Sequence, residues 1–226
     1  MINSKASQKS LDHEELITLD LLEIVEKNSA VTQRSLAAEL GVALGLTNTY
    51  LKRCAKKGFI KVKQIPSNRY AYYITPHGFT EKSRLTAEYL RQSFNFFRLA
   101  RSQSDSVLRY CEKRQWFRIA LTGKSDLCEI TILSAAKLQI ELTGIIDANA
   151  ATSTSTFMDL PVVSKLAELK TLNALIVTDM ENSQKTFDEA VQFFPRERIF
   201  TVPLLGVNRE RADHFSFTDL NTEDLK

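Results

Sequence analysis

Eight basic residues, Arg34, Lys52, Arg53, Lys56, Lys57, Lys61, Lys63 and Arg69, fall between Asn28 and Thr75 against a single acid, Glu39. Cations at that density neutralise phosphates, and the counterions they release from a nucleic-acid backbone supply affinity without reading sequence. Asn48 and Thr49 stand among them with hydrogen-bonding groups able to meet base edges. The whole chain of 226 residues carries only +3, so the positive charge is local. From Phe117 onward the balance is negative, which argues against a nucleic-acid role for that half. An ordinary solvated helix face is the alternative origin of such a run.

A second set of residues carries different chemistry. After the apolar run Phe117–Thr122 comes the turn Gly123-Lys124-Ser125-Asp126, and about 20 residues on, Asp147 closes another apolar run. A glycine turn before a helix offers free N–H groups to an anion, Lys124 adds a charge, and an acid at the position of Asp147 suits ribose hydroxyls. The dinucleotide fingerprint needs three glycines, however, and only Gly123 is kept. Ser125 stands at the second position and Glu129 near the third, where a carboxylate repels a pyrophosphate. Three readings stay open: a bound dinucleotide, a smaller anionic or nucleotide-sugar effector, or a degenerate domain serving assembly. Asp126 also reads as a helix cap and Asp147 as a residue ending a strand in a turn.

The elements that must position these groups follow from hydrophobic spacing. Leu16–Lys27 is a first helix with Ile17, Leu21, Ile24 and Val25 inward. Thr32 can cap a short helix bearing Leu36, Ala37 and Leu40, which Gly41 stops. The next helix, Ala43–Lys57, turns Thr47, Leu51, Cys54 and Ala55 to one face and Asn48, Thr49, Lys52, Arg53 and Lys56 to or beside the other. Beyond Gly58, Phe59–Ile65 alternates, Pro66–Arg69 is turn-like and Tyr70–Ile74 returns, a β-hairpin wing. The candidate DNA contacts are therefore Gln33, with Asn48, Thr49, Ala43 and Leu44 for base edges, and Lys52, Arg53, Lys56, Lys61, Lys63 and Arg69 for phosphates or, at the wing tip, the minor groove.

A long helical pattern then runs from Phe79 to about Arg101, with a resumption to Lys113 left open. Its broad apolar surface (Tyr89, Leu90, Phe94, Phe96, Phe97) suits pairing with a second copy, as two half-sites require, or packing within its own chain. From Trp116 the pattern changes to continuous apolar strands, Phe117–Thr122, Leu142–Asp147, Leu160–Val163, Ala174–Thr178 and Arg198–Val202. Helices at Leu127–Lys137, Ser164–Leu169 and Ser183–Phe194 separate them. Strands apolar on both faces and parted by helices predict a covered parallel sheet.

The fold class expected is α/β overall: an N-terminal winged helix-turn-helix (α+β), a long linker helix, and a small C-terminal Rossmann-like parallel α/β domain. The expected organisation is a polar segment 1–15, a winged domain 16–78, a linker or dimerisation helix 79–115, an effector or assembly domain 116–205 and a polar tail 206–226. At 43% hydrophobic and 25% charged, composition is that of a soluble globular protein. No run approaches the roughly 20 apolar residues of a bilayer span and the start lacks a secretory core, so a cytoplasmic protein with no membrane partner is expected. Cys54, Cys111 and Cys128 show no metal spacing and read as buried thiols, with a redox switch at Cys128 as the lesser alternative.

Two stretches resemble known families. The run Ser35–Gly45, the later Leu51-Lys52 and Lys57-Gly58, and Tyr70-Ala71-Tyr72-Tyr73-Ile74-Thr75-Pro76-His77-Gly78 with Glu81-Lys82-Ser83-Arg84-Leu85-Thr86 resemble winged-helix regulators of the MarR type found with exopolysaccharide gene clusters. The likeness covers about the first hundred residues, and the chain departs from it with Thr47 and Cys54 where larger apolar residues are favoured. Gly123-Lys124-Ser125-Asp126, Gly144-Ile145-Ile146-Asp147 and Leu160–Leu166 resemble, more weakly, the nucleotide-binding-like domain of polysaccharide-biosynthesis proteins. These resemblances imply double-stranded DNA and a second copy as partners, a small anionic or nucleotide-type effector of unspecified identity, and a role in surface-polysaccharide gene control. An enzyme is the competing class. It would need a Tyr/Lys pair or positioned His in the second half, where no tyrosine follows Tyr110 and the one histidine, His214, lies in a polar tail. No catalytic or metal-binding set is identified. A winged helix that binds protein instead of DNA is the other alternative.

Overall fold

The computed structural model describes residues 11–66, 69–147, 155–169 and 171–209. Most of the expected polar segment, the turn residues 67–68, the Ser/Thr/Ala-rich loop at 148–154 and the tail from 210, His214 included, lie outside them. The chain divides into two compact units, Met1–Asn95 and Phe96–Lys226.

In the first unit α1 spans His13–Lys27 and begins three residues before Leu16, because Asp12 caps it. The Asp12 carboxylate accepts the Glu15 N–H at 2.8 Å, and Glu15 reaches back to the Asp12 N–H. This reciprocal cap satisfies two donors that a helix start otherwise leaves unpaired. Helix α2 (Gln33–Glu39) is capped by Thr32 as expected, and Gly41 leaves it at φ 62°, a conformation glycine adopts without steric cost. Helix α3 (Leu44–Lys56) follows, with Ala43 as its N-cap. Strands β1 (Ile60–Ile65) and β2 (Arg69–Ile74) pair antiparallel from Ile60↔Ile74 to Ile65↔Arg69, forming the wing. The core joins Leu21, Leu22 and Val25 of α1, Leu36 of α2, Tyr50, Leu51 and Cys54 of α3, and Phe59, Ile60 and Tyr72 of the wing. Thr47 is fully buried, and its hydroxyl is satisfied by the Ala43 carbonyl at 3.2 Å.

Helix α4 runs from Pro76 to Lys113, starting three residues before the expected Phe79 and continuing through Arg101 to the Lys113 that the pattern had left open. Proline is compatible with the first helical position, where no intrahelical N–H is needed. Leu85 packs with Leu11 and Leu19 in the first unit. From Phe96 onward α4 belongs to the second unit, where Ala100, Val107, Leu108 and Cys111 are fully buried. The linker expected over 79–115 is thus, from Phe96, part of the second core, and Phe96 and Phe97 pack against that core.

The second unit is a six-stranded sheet ordered β5-β6-β4-β3-β7-β8, where β3 is Arg118–Thr122, β4 Glu141–Ile146, β5 Thr156–Phe157, β6 Leu160–Val163, β7 Ala174–Val177 and β8 Ile199–Thr201. All pairings are parallel except β5 with β6, a short edge hairpin that sequence pattern missed. Counted in chain order, the five parallel strands lie 3-2-1-4-5. Ile119 and Leu121 of β3 point to a core with α4 and α5 (Asp126–Ala135), while Ala120 joins Leu175, Val177 and Phe187 on the face of α6 (Ser183–Ala190). That second face is thinly covered. The helix expected at Ser164–Leu169 is only a 3-10 turn, Leu166–Glu168, and α6 ends at Ala190, short of the expected Phe194. Among the described residues no helix is long and apolar enough to cross a membrane.

Candidate nucleic-acid interface and a cavity in the second unit

Helix α3 presents its first turn openly. Ala43, Leu44, Gly45 and Leu46 are all exposed, the two leucines at 44% each. No side chain caps this end; the Leu46 and Thr47 N–H groups bond to the Ala43 carbonyl at 3.0 Å each, which leaves the first-turn N–H groups of Leu44 and Gly45 for a phosphate and the methyl groups for thymine methyls. Leu46 was not singled out from sequence; its signal was an apolar residue in the first turn of the helix, beside Leu44. One turn on, Asn48 is half-buried, and the Thr49 hydroxyl donates to the Gly45 carbonyl at 3.0 Å while its side chain stays exposed.

The expected phosphate contacts separate into two groups. Lys52, Lys56, Lys61, Lys63 and Arg69 are exposed, on the outer face of α3 and along the wing. Arg53 is turned elsewhere: its guanidinium pairs with Glu14 of α1 and lies 5.6 Å over the Tyr50 ring. Gln33 is also engaged within the fold, its amide donating to the Tyr72 hydroxyl at 3.1 Å. Tyr72 is buried, so Gln33 anchors α2 to the wing. The wing in turn exposes Val62, Tyr70 and Tyr73 beside its lysines, none of them predicted.

The thiols are inert by environment. Burial pushes Cys54 up to about 11, Cys111 up to about 12 and Cys128 up to about 11. At Cys128, hydrogen bonds involving Thr178 and the Ser125 main chain only partly offset that effect. Such a thiol stays protonated near neutrality, which removes the nucleophile that a redox switch needs.

The turn after β3 is occupied by its own fold. Ser125 caps α5, accepting the Cys128 N–H at 3.2 Å, and donates to the Thr178 carbonyl. A Cβ at Gly123 would stand 2.4 Å from Cβ of Asp179, so the glycine is required by the approach of the β7 end. Lys124 and Asp126 are exposed. Gly123 and Asp147 do border a cavity of about 750 Å³, whereas Lys124, Ser125 and Asp126 do not. The cavity opens over the carboxyl ends of β3, β4 and β7 where the 3-10 turn leaves the sheet uncovered, with Leu166, Leu175 and Ala190 among its walls. Across from Asp147, the Asp179 carboxylate caps its own turn, accepting the N–H groups of Glu181 and Asn182 at 2.9 Å each and the Thr186 hydroxyl at 2.7 Å. Burial works against the charge there, and these hydrogen bonds outweigh it, holding the carboxyl below its usual range.

Residues 15–61 match the family model described as winged helix-turn-helix DNA-binding. No curated protein matches the chain. Among solved structures, the chain is similar to the PcaV transcriptional regulator from Streptomyces coelicolor, with 17% identity over 35% of this chain and 60% of that one and a TM-score of 0.34. It is also similar to MarR, with 25% identity over 36% and 56% and a TM-score of 0.33. A third is MepR, a transcription regulator of the Staphylococcus aureus multidrug efflux pump MepA, with 17% identity over 38% and 63% and a TM-score of 0.33. In each case the alignment spans less than two thirds of the regulator's own length.

Proposed function

We propose that this chain is a DNA-binding transcription regulator of the MarR type, acting as a cytoplasmic dimer. The start of α3 reads the major groove, while Lys52, Lys56 and the wing residues Lys61, Lys63 and Arg69 hold the phosphates. The observation that carries this reading is the exposure of those five cations around an uncapped, open helix start in a unit with the winged helix-turn-helix fold. Specific contact by a recognition helix's first turns, with phosphate contacts on either side, is the geometry such folds use.

The second unit, whose strand order 3-2-1-4-5 is that of doubly wound nucleotide-binding sheets, is a Rossmann-like effector or assembly unit. Control of surface-polysaccharide genes is proposed on the resemblance of the wing-exit motif alone. A protein-binding winged helix is the second reading, favoured by the exposed Leu44 and Leu46.

The test is binding of the full chain to the DNA upstream of its own gene, titrated across salt. Sequence-selective, salt-weakened binding supports the regulator; affinity for DNA that is absent, or indifferent to salt, transfers the bet to protein binding.

A further inference from the structure

We propose that the cavity of the second unit is a site for a neutral, hydroxyl-rich ligand with a flat ring, a ribonucleoside, and not for a dinucleotide or other polyanion. Three observations lead there. The first is an orphaned buried hydroxyl. Thr122 ends the central strand, lines the cavity and is 4% exposed, yet its Oγ1 has no hydrogen-bond partner. Strand alternation puts its side chain on the Ala120 face, which is the cavity's face. A buried hydroxyl without a partner is unfavourable, and a ligand hydroxyl bonded to it would remove that cost.

The second observation is charge. The lining acids are Asp147, Asp179 and Glu189, and the lining cations are Lys165 and Lys185. Lys185 is already paired with Glu189 at 3.8 Å. The cavity holds no positive excess to receive a pyrophosphate. The groups that sequence offered for one do not reach it: Lys124 lies outside the lining, and the Ser125 hydroxyl is held by Cys128 and Thr178. Carboxylates accept, and vicinal hydroxyls donate, so Asp147 at the end of β4 suits a sugar better than an anion.

The third is an unsatisfied ring. Phe193, at 75% the most exposed large apolar residue among those described, stands at the rim of this cavity. With Leu166, Leu175 and Ala190 it makes an apolar wall with one aromatic face, which a base can stack on. The volume, about 750 Å³, is that of small-molecule pockets.

Binding itself does not depend on the regulator reading; only its effect on DNA does. The experiment is calorimetric titration of the full chain with adenosine and uridine, their 2′-deoxy counterparts, NAD⁺ and UDP-glucose. A ribonucleoside should bind, and loss of its 2′-hydroxyl should weaken it tenfold or more, because a site built around a hydroxyl is left with unpaired polar groups. Asp147→Asn and Phe193→Ala should each weaken it at least several-fold, as should the shape-conserving Thr122→Val, all with melting temperatures close to that of the unaltered protein. Failure of both ribonucleosides to bind, tighter binding of NAD⁺ or UDP-glucose, or affinity unchanged in all three variants overturns the proposal. DNA affinity that a bound ribonucleoside leaves unchanged overturns the sensing role and leaves the site standing.

Discussion

Gly78 lies so close to the main chain of Phe59 that a Cβ at position 78 would stand 2.0 Å from the Phe59 carbonyl oxygen. The same corner is tied by Thr75. Its N–H donates to the Phe59 carbonyl at 3.0 Å, its hydroxyl donates to the Gly58 carbonyl at 2.6 Å, and that hydroxyl accepts the Gly78 N–H at 3.0 Å. The Thr-Pro-x-Gly exit from the wing is therefore a physical joint: threonine caps α4, proline starts it, and glycine lets it press on the chain entering β1.

Gly78→Ala should destabilise the first unit by about 2 kcal/mol, the usual scale of overpacking where the obstacle is backbone. The measurement is thermal unfolding, and a melting temperature unchanged by the substitution would contradict the close approach. Thr75→Val should cost about 1 kcal/mol through the lost cap.

Lys56→Ala should weaken binding to all DNA sequences alike and reduce the salt slope by about one. Asn48→Ala should instead relax discrimination between operator and random DNA. Equal losses on both DNAs for Asn48→Ala would remove it from the base-reading set.

Arg53 is paired with Glu14, so Arg53→Ala should cost less DNA affinity than Lys56→Ala. Glu14→Gln should raise affinity at low salt by removing an acid beside α3, with stability little changed, as for an exposed pair. If Glu14→Gln leaves binding untouched while Arg53→Ala abolishes it, Arg53 leaves Glu14 to reach the phosphates.

All three thiols sit above their ordinary 9.0 in the folded chain. The folded state therefore holds protons that the unfolded state releases first, and stability should be full below about pH 9 and fall as pH rises from there toward 11 and 12. At pH 8 a thiol reagent should modify none of the three until the chain unfolds. Rapid modification of Cys128 in the native protein would restore the redox alternative.

Leu90 and Phe94, one turn apart on α4, are 47% and 59% exposed. If this stripe pairs with a second copy, Phe94→Glu should reduce the mass seen by light scattering to one chain and weaken binding to a two-half-site operator far more than to a half-site. An unchanged mass would place the subunit contact elsewhere.

Much of the architecture was legible in the residues because it rests on short-range rules. Apolar period fixes helices and strands, Thr32 and Gly41 mark the ends of α2, and the runs Phe59–Ile65 and Tyr70–Ile74 mark a wing, whereas its register and the exposure of Val62 were settled only by the fold. Clustering of cations between residues 28 and 75 was likewise visible without coordinates. What a given side chain faces was not. Gln33 and Arg53 read as free polar groups on a surface, but Tyr72 is 39 residues from one and Glu14 is 39 from the other, and only folding brings each pair together. Gly123 and Ser125 read as a phosphate turn, yet Asp179 and Thr178, from a strand not yet reached by the chain, occupy their neighbourhood. The cavity, too, belongs to tertiary structure, since it exists because one crossover shortened to a 3-10 turn and left the ends of three strands bare. Sequence determined which residues could form each element, since periodicity and capping act within a few positions; packing decided which of their polar groups remain available for a ligand, since that depends on neighbours far away along the chain.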